Sequence, residues 1–125
     1  MTLTIPGNPA TKKNSMRIVR CGPYPKIIPS KAFEDYQNAA APYLMPARSR
    51  RITGPVNVKC LYYMRTRRKV DLGNLLAATC DILVRYGVLA DDCSGIVESH
   101  DGSRVLYDKD NPRVEITITG GWGLV

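Results

Sequence analysis

Val56-Asn57-Val58-Lys59-Cys60-Leu61-Tyr62-Tyr63-Met64-Arg65-Thr66-Arg67-Arg68-Lys69-Val70-Asp71-Leu72-Gly73-Asn74-Leu75-Leu76 carries three signals in one run. Val56 to Met64 is rich in β-branched and aromatic residues and holds no breaker, which predicts a strand. Arg65 to Lys69 then places four cations in five residues. Asp71 follows at a good N-cap position. Leu72, Leu75, Leu76, Thr79, Ile82 and Leu83 recur at helical spacing, so a helix is expected over 72–86, ended by Gly87.

Working outward, Leu3 and Ile5 alternate with Thr2 and Thr4 as a first strand, closed by Pro6-Gly7-Asn8-Pro9. Ile18-Val19 and Ile27-Ile28 suggest a short hairpin around residues 21–25, against which the prolines weigh. Ser30 is a suitable cap for a helix over 30–41 stopped at Pro42, and Phe33, Tyr36, Ala40 and Tyr43 fall at helical spacing. Residues 45–55 read as a loop. Downstream, residues 95–98 and 104–107 are strand-like. Val114, Ile116 and Ile118 alternate with Glu115, Thr117 and Thr119 as a final strand. The tail Gly120-Gly121-Trp122-Gly123 reads as loose. Short strands with two helices imply an α+β two-layer sandwich, a mixed β-sheet with two main helices on one face. The 125 residues suit a single domain, 1–125.

Charge is divided along the chain. Residues 1–70 hold 14 Lys and Arg against Glu34 and Asp35, whereas residues 71–125 hold 4 Lys and Arg against 9 Asp and Glu. The basic half suits a polyanion and the acidic half a cation. Four cysteines without a Cys-x-x-Cys spacing, and a single histidine, His100, argue against a zinc site. No apolar run is long enough to span a membrane. The opening residues lack the pattern of a signal peptide, so reduced cysteines and a cytoplasmic protein are expected.

Asp71, Asn74 and Asp81 on the helix, with Asp91-Asp92 after it, form the acidic constellation. Positions 71, 74, 78 and 81 share a stripe. A short return after the helix would bring residue 91 back toward Asp71. Hard carboxylate oxygens suit Mg²⁺, and a neighbouring cationic run suits a phosphodiester backbone. Together they make the minimal kit of a metal-dependent nuclease. Each part alone also has a plain reading: a helix cap, a solvated turn, a solvated loop.

At these residues the sequence resembles the RusA family of Holliday junction resolvases. The match runs through Arg67-Arg68-Lys69-Val70-Asp71-Leu72-Gly73-Asn74-Leu75, Asp81-Ile82-Leu83 and Gly87-Val88-Leu89-Ala90-Asp91-Asp92. Pro9-Ala10-Thr11-Lys12-Lys13-Asn14-Ser15 and Pro112-Arg113-Val114-Glu115-Ile116 fit as well. The resemblance implies a Mg²⁺-dependent endonuclease of phage or prophage type that acts as a homodimer on four-way junctions or other branched DNA. It places Asp71, Asp91 and Asp92 as metal-binding catalytic acids. Lys12, Lys13, Arg65, Arg67, Arg68 and Lys69 are the expected phosphate contacts. Two positions depart from the pattern: Gly73 stands where the family has a second Asp, and Ala77 where it has a Lys. Asn74, Asp81, Glu98 and Asp101 are accessory candidates. Among the acids, Asp81 ranks below Glu98 and Asp101, because ten helical residues separate it from Asp71 by about 15 Å. Two rivals follow from the same residues. One is a non-catalytic or weakly catalytic binder of branched DNA. The other is an RNA-binding module with Tyr24, Tyr43, Tyr62 and Tyr63 as stacking platforms.

Overall fold

The structure is a computed structural model that describes residues 1–12, 16–21, 24–29 and 31–120, without the side chains of 16–21 and 24–29. Lys13, Ser30 and residues 121–123, on which sequence expectations fell, lie outside the described residues.

The strands are β1 (Thr2–Pro6), β2 (Met16–Cys21), β3 (Tyr24–Pro29), β4 (Val56–Met64), β5 (Val97–Ser99), β6 (Arg104–Tyr107) and β7 (Arg113–Gly120). The helices are α1 (Lys31–Leu44) and α2 (Leu72–Arg85). Five strands form one mixed sheet in the order β1-β7-β4, with both β5 and β6 on the free side of β4. β7 runs antiparallel to β1 and β4. β5 and β6 run parallel to β4, pairing with its first and last residues respectively. The expected α+β class is therefore present, as is the β2–β3 hairpin, which pairs antiparallel from Met16↔Pro29 to Cys21↔Tyr24. Its prolines are tolerated because a two-stranded ribbon consists only of edges.

The pleat selects the core. In β4, Val56, Val58, Cys60, Tyr62 and Met64 are buried while the residues between them are half-buried. Val114, Ile116 and Ile118 of β7 and Ile5 of β1 join them. α2 supplies Leu75, Ala78, Ile82 and Leu83 to the same cluster, and α1 supplies Phe33, Ala40 and Leu44. Inside this apolar layer, Tyr62 Oη and Thr79 Oγ1 are 2.7 Å apart, and Thr79 donates onward to the Leu75 carbonyl at 2.9 Å. That chain pins the middle of α2 to the last third of β4. At the other end of α2, the Tyr86 hydroxyl donates to the Gln37 carbonyl of α1 at 2.8 Å. Gly87, at φ +77°, takes the left-handed turn that ends α2.

Three local expectations are corrected. Pro42 does not stop α1; it lies inside the helix, which continues to Leu44. A helical proline costs about 3 kcal/mol, whereas full burial of a leucine returns about 1.5–3 kcal/mol, and Leu44 is fully buried. Tyr43, in the added turn, is half exposed. Residues 45–50 form a 3-10 helix rather than an open loop. The strand expected at 95–98 lies at Val97–Ser99, because the amides of Ile96 and Val97 both donate to the Cys93 carbonyl in a turn.

His100 serves the fold: its Nδ1 lies 2.8 Å from the Val58 carbonyl. Cys60 and Cys80 are buried free thiols and Cys93 is an exposed one. Burial pushes Cys60 up to about 11 from an ordinary 9.0. Among the described residues no helix is long and apolar enough to cross a membrane.

Candidate active site

β4 ends at Met64 and the cationic segment begins at once. Its first amide, that of Arg65, donates to Asn8 Oδ1 at 2.8 Å, tying the segment to the turn after β1. Residues 65–70 are all exposed. Between this segment and the turn lies a cleft of about 550 Å³, lined among others by Asn8, Thr11, Thr66, Arg68, Lys69 and Leu75. On its other flank, Thr66, Arg67 and Arg68 line a second groove, of about 350 Å³, with Val105, Leu106 and Tyr107 of β6. The segment is thus a positively charged ridge between two hollows, and its exposed cations are donors suited to phosphates.

Asp71 sits where the ridge meets α2. Its backbone is extended (φ −88°, ψ 114°), and its Oδ1 accepts the Asn74 amide at 3.2 Å. This is the N-cap expected from sequence. The positive end of the helix dipole lies at the same point. Gly73 is exposed in the first turn. A Cβ built there would lie 3.1 Å from Asp71 Oδ1 and, apart from its chain neighbours and the helix's own backbone, would meet nothing else within 4 Å. The position at which the family resemblance places a second acid therefore adjoins Asp71 and is bare.

The other acids have contacts of their own. The return after α2 is held beside Ile52, whose amide donates to the Val88 carbonyl and whose carbonyl accepts from Ala90. Asp91 Oδ1 accepts the amide of Asp92 at 2.8 Å, and both residues are exposed. Burial chiefly, with Cys60, Asp92 and Asp81 adding negative potential, pushes the Cys80 thiol up to about 12. Asp81 is engaged by Lys12, Nζ to Oδ2 at 3.1 Å. Lys12 also lies over the Phe33 ring, 5.7 Å from its centroid. Glu98 is exposed on β5, and the amide of Asp101 donates to Asn57 Oδ1 at 2.7 Å, beside the start of β4. Asp71 lies beyond the other end of that strand.

Carboxylates are the right donors for Mg²⁺, which one or two of them hold together with waters and substrate phosphate. Among the described residues no three His, Cys, Asp or Glu side chains are grouped so as to hold a metal ion.

Two features were not legible in the sequence. Tyr107 carries the guanidinium of Arg67 at 4.2 Å from its ring centroid, a pairing of residues forty positions apart. Arg113 stacks on Tyr63 at 3.9 Å and bonds both Asp108 and Glu115 at 3.0 Å. The Asn111 amide and Arg113 hold the Asp108 carboxyl below its ordinary range. That network braces β7 at the end of the sheet nearest the ridge.

No curated protein is significantly similar to the chain. The family model described as "Endodeoxyribonuclease RusA" matches residues 6–119, spanning the ridge, the capped helix and the Asp91-Asp92 return. On that match over nearly its whole length, the chain belongs to the RusA family of endodeoxyribonucleases, enzymes of Holliday junction resolution.

Proposed function

We propose that this chain, as one RusA-like domain, binds four-way junctions or other branched DNA along the 65–69 ridge. In this reading it cuts phosphodiesters beside Asp71 as a homodimer that depends on Mg²⁺. The observation that carries the reading is the adjacency of the exposed cationic ridge, the 550 Å³ cleft and the carboxylate capping α2. Arg65, Arg67, Arg68 and Lys69 take phosphates as point or fork donors. The α2 N-terminus adds backbone amides and a positive partial charge for an anionic oxygen. Mg²⁺, when bound, offsets negative charge developing at phosphorus. Lys12 contributes less to DNA than its charge suggests, since Asp81 already pairs with it. A four-way junction can be two-fold symmetric, so paired cuts require two sites related by a matching axis.

The bare Gly73 supports a weak nuclease, one that binds junctions better than it cuts them. The test is a labelled synthetic four-way junction incubated with protein and Mg²⁺ and run on a denaturing gel. Paired nicks are expected from the parent. Asp71→Asn is expected to bind the junction and leave it uncut. An Asp71→Asn variant that cuts at the parent rate would remove Asp71 from the reaction.

A further inference from the structure

We propose that the groove between the ridge and β6 is a site for one unpaired nucleobase of branched DNA, which stacks on the Arg67–Tyr107 pair. This rests on the DNA-binding reading above and assigns that reading a contact with a base rather than with a phosphate.

Val105 and Tyr107 pair in register with Tyr62 and Met64, so all four lie on the face of the sheet that carries α2. Tyr62 and Met64 are buried there, at 1% and 6% exposure, whereas Val105 and Tyr107 remain 38% and 39% exposed. An edge strand with two large apolar side chains turned outward is a liability unless something covers it. Arg67 covers part of Tyr107 with a planar cation. An arginine laid flat on an aromatic ring is itself a stacking surface, and bases stack on guanidinium planes as on rings. The groove, about 350 Å³, is lined by Thr66, Arg67, Arg68, Val105, Leu106 and Tyr107. It offers an apolar wall, a π-platform, two cations and no carboxylate. That volume falls at the lower end of the range that holds one small ligand, about 300–1,000 Å³.

This chemistry selects the occupant. A second copy meeting β6 isologously would bring one ridge of Arg65, Arg67, Arg68 and Lys69 close to its twin, a like-charge juxtaposition that opposes association. A base with its phosphate meets the opposite field. A base inside a duplex has both faces already stacked, so only an unpaired or unstacked base has a face to offer. Branch points supply such bases. Thr66 and Arg68 line both hollows, so a strand crossing the ridge near Asp71 would deliver the neighbouring base to Tyr107.

The test uses two junctions, one fully paired and one with an unpaired 2-aminopurine at the branch point, together with a linear duplex of equal length. The parent should bind the unpaired junction more tightly and quench its fluorescence. Tyr107→Leu should lose about tenfold in affinity for that junction and lose the quenching. Its duplex affinity and salt dependence should stay at the parent values. Tyr107→Phe, which keeps the ring, should retain both properties. Tyr107→Leu that binds all three DNAs as the parent does, or weakens for all equally, overturns the base site and leaves the DNA-binding reading standing. A change in sedimentation on Tyr107→Leu identifies β6 as a contact between copies and also overturns it. A parent that binds none of the three DNAs overturns both readings.

Discussion

Asp71 has two duties that can be separated by chemistry. As an N-cap it needs only an acceptor oxygen for the Asn74 amide; as a nuclease acid it needs a negative charge. Asparagine supplies the first without the second. Asp71→Asn should therefore unfold in urea within a few tenths of a kcal/mol of the parent, whereas Asp71→Ala should lose about 1 kcal/mol with the cap. Equal losses would show that the charge, not the cap, is what the fold uses at this residue. A second residue-scale prediction concerns Tyr62, whose hydroxyl is buried against Thr79. Tyr62→Phe leaves the Thr79 bond to Leu75 intact and removes one buried hydrogen bond, a loss of about 1 kcal/mol in the same assay. An unchanged midpoint would mean that the pair contributes nothing to holding α2 on β4. The Asp71 cap was legible in the sequence because capping is chemistry among neighbours. The Lys12–Asp81 pair was not: its partners are 69 positions apart, and each reads by itself as a solvated charge.

Among the elements, β4, α2 and β7 were read with ends close to those observed, because each carries its own period and its own stop signals. α1 was cut short at Pro42 because local propensity argues for a break, and only the tertiary burial of Leu44 argues against it. The cationic segment 65–69 was legible as charge but not as a ridge, since its shape comes from the Asn8 tie and from the strands on either side. If the ridge contacts phosphates, each lost contact should lower the slope of log affinity against log salt by about 0.9 on duplex DNA. Replacing Arg67 and Arg68 together with glutamine should flatten the slope by roughly 1.8 and weaken binding to all sequences alike. An unchanged slope would reduce the segment to a solvated loop.

At the scale of the whole molecule, the class of fold followed from composition and periodicity, but the pairing did not. Nothing local indicates that β5 and β6 both run parallel to β4, end to end on one side. Nothing local indicates that the return after α2 is held by Ile52. These are contacts across tens of residues, and they decide where Asp91, Asp92, Glu98 and Asp101 lie relative to Asp71. The packed layer also has a pH signature. Cys60 and Cys80 are held up to about 11 and about 12, chiefly by burial. The folded chain keeps these protons at a pH where the unfolded chain has lost them. Stability is therefore full below about pH 9 and falls as pH rises toward 11–12. Denaturation at pH 10.5 should show a loss on the order of 1–2 kcal/mol per thiol relative to pH 7; a flat profile would contradict the burial of both as thiols.

The chain belongs to the RusA family of endodeoxyribonucleases, and Gly73 is bare beside its helix cap. Gly73→Asp restores a carboxylate in the first helical turn, where the dipole favours it. The Cβ it adds lies 3.1 Å from Asp71 Oδ1, so the capping carboxylate must give way slightly to admit it. The direct measurement is a Mg²⁺ titration of junction cleavage by the parent and by Gly73→Asp, side by side. Half-maximal cutting by Gly73→Asp at a lower Mg²⁺ concentration is the predicted result. An equal or higher requirement, with the variant folded, would contradict it and show that the site at the head of α2 does not lack a ligand there.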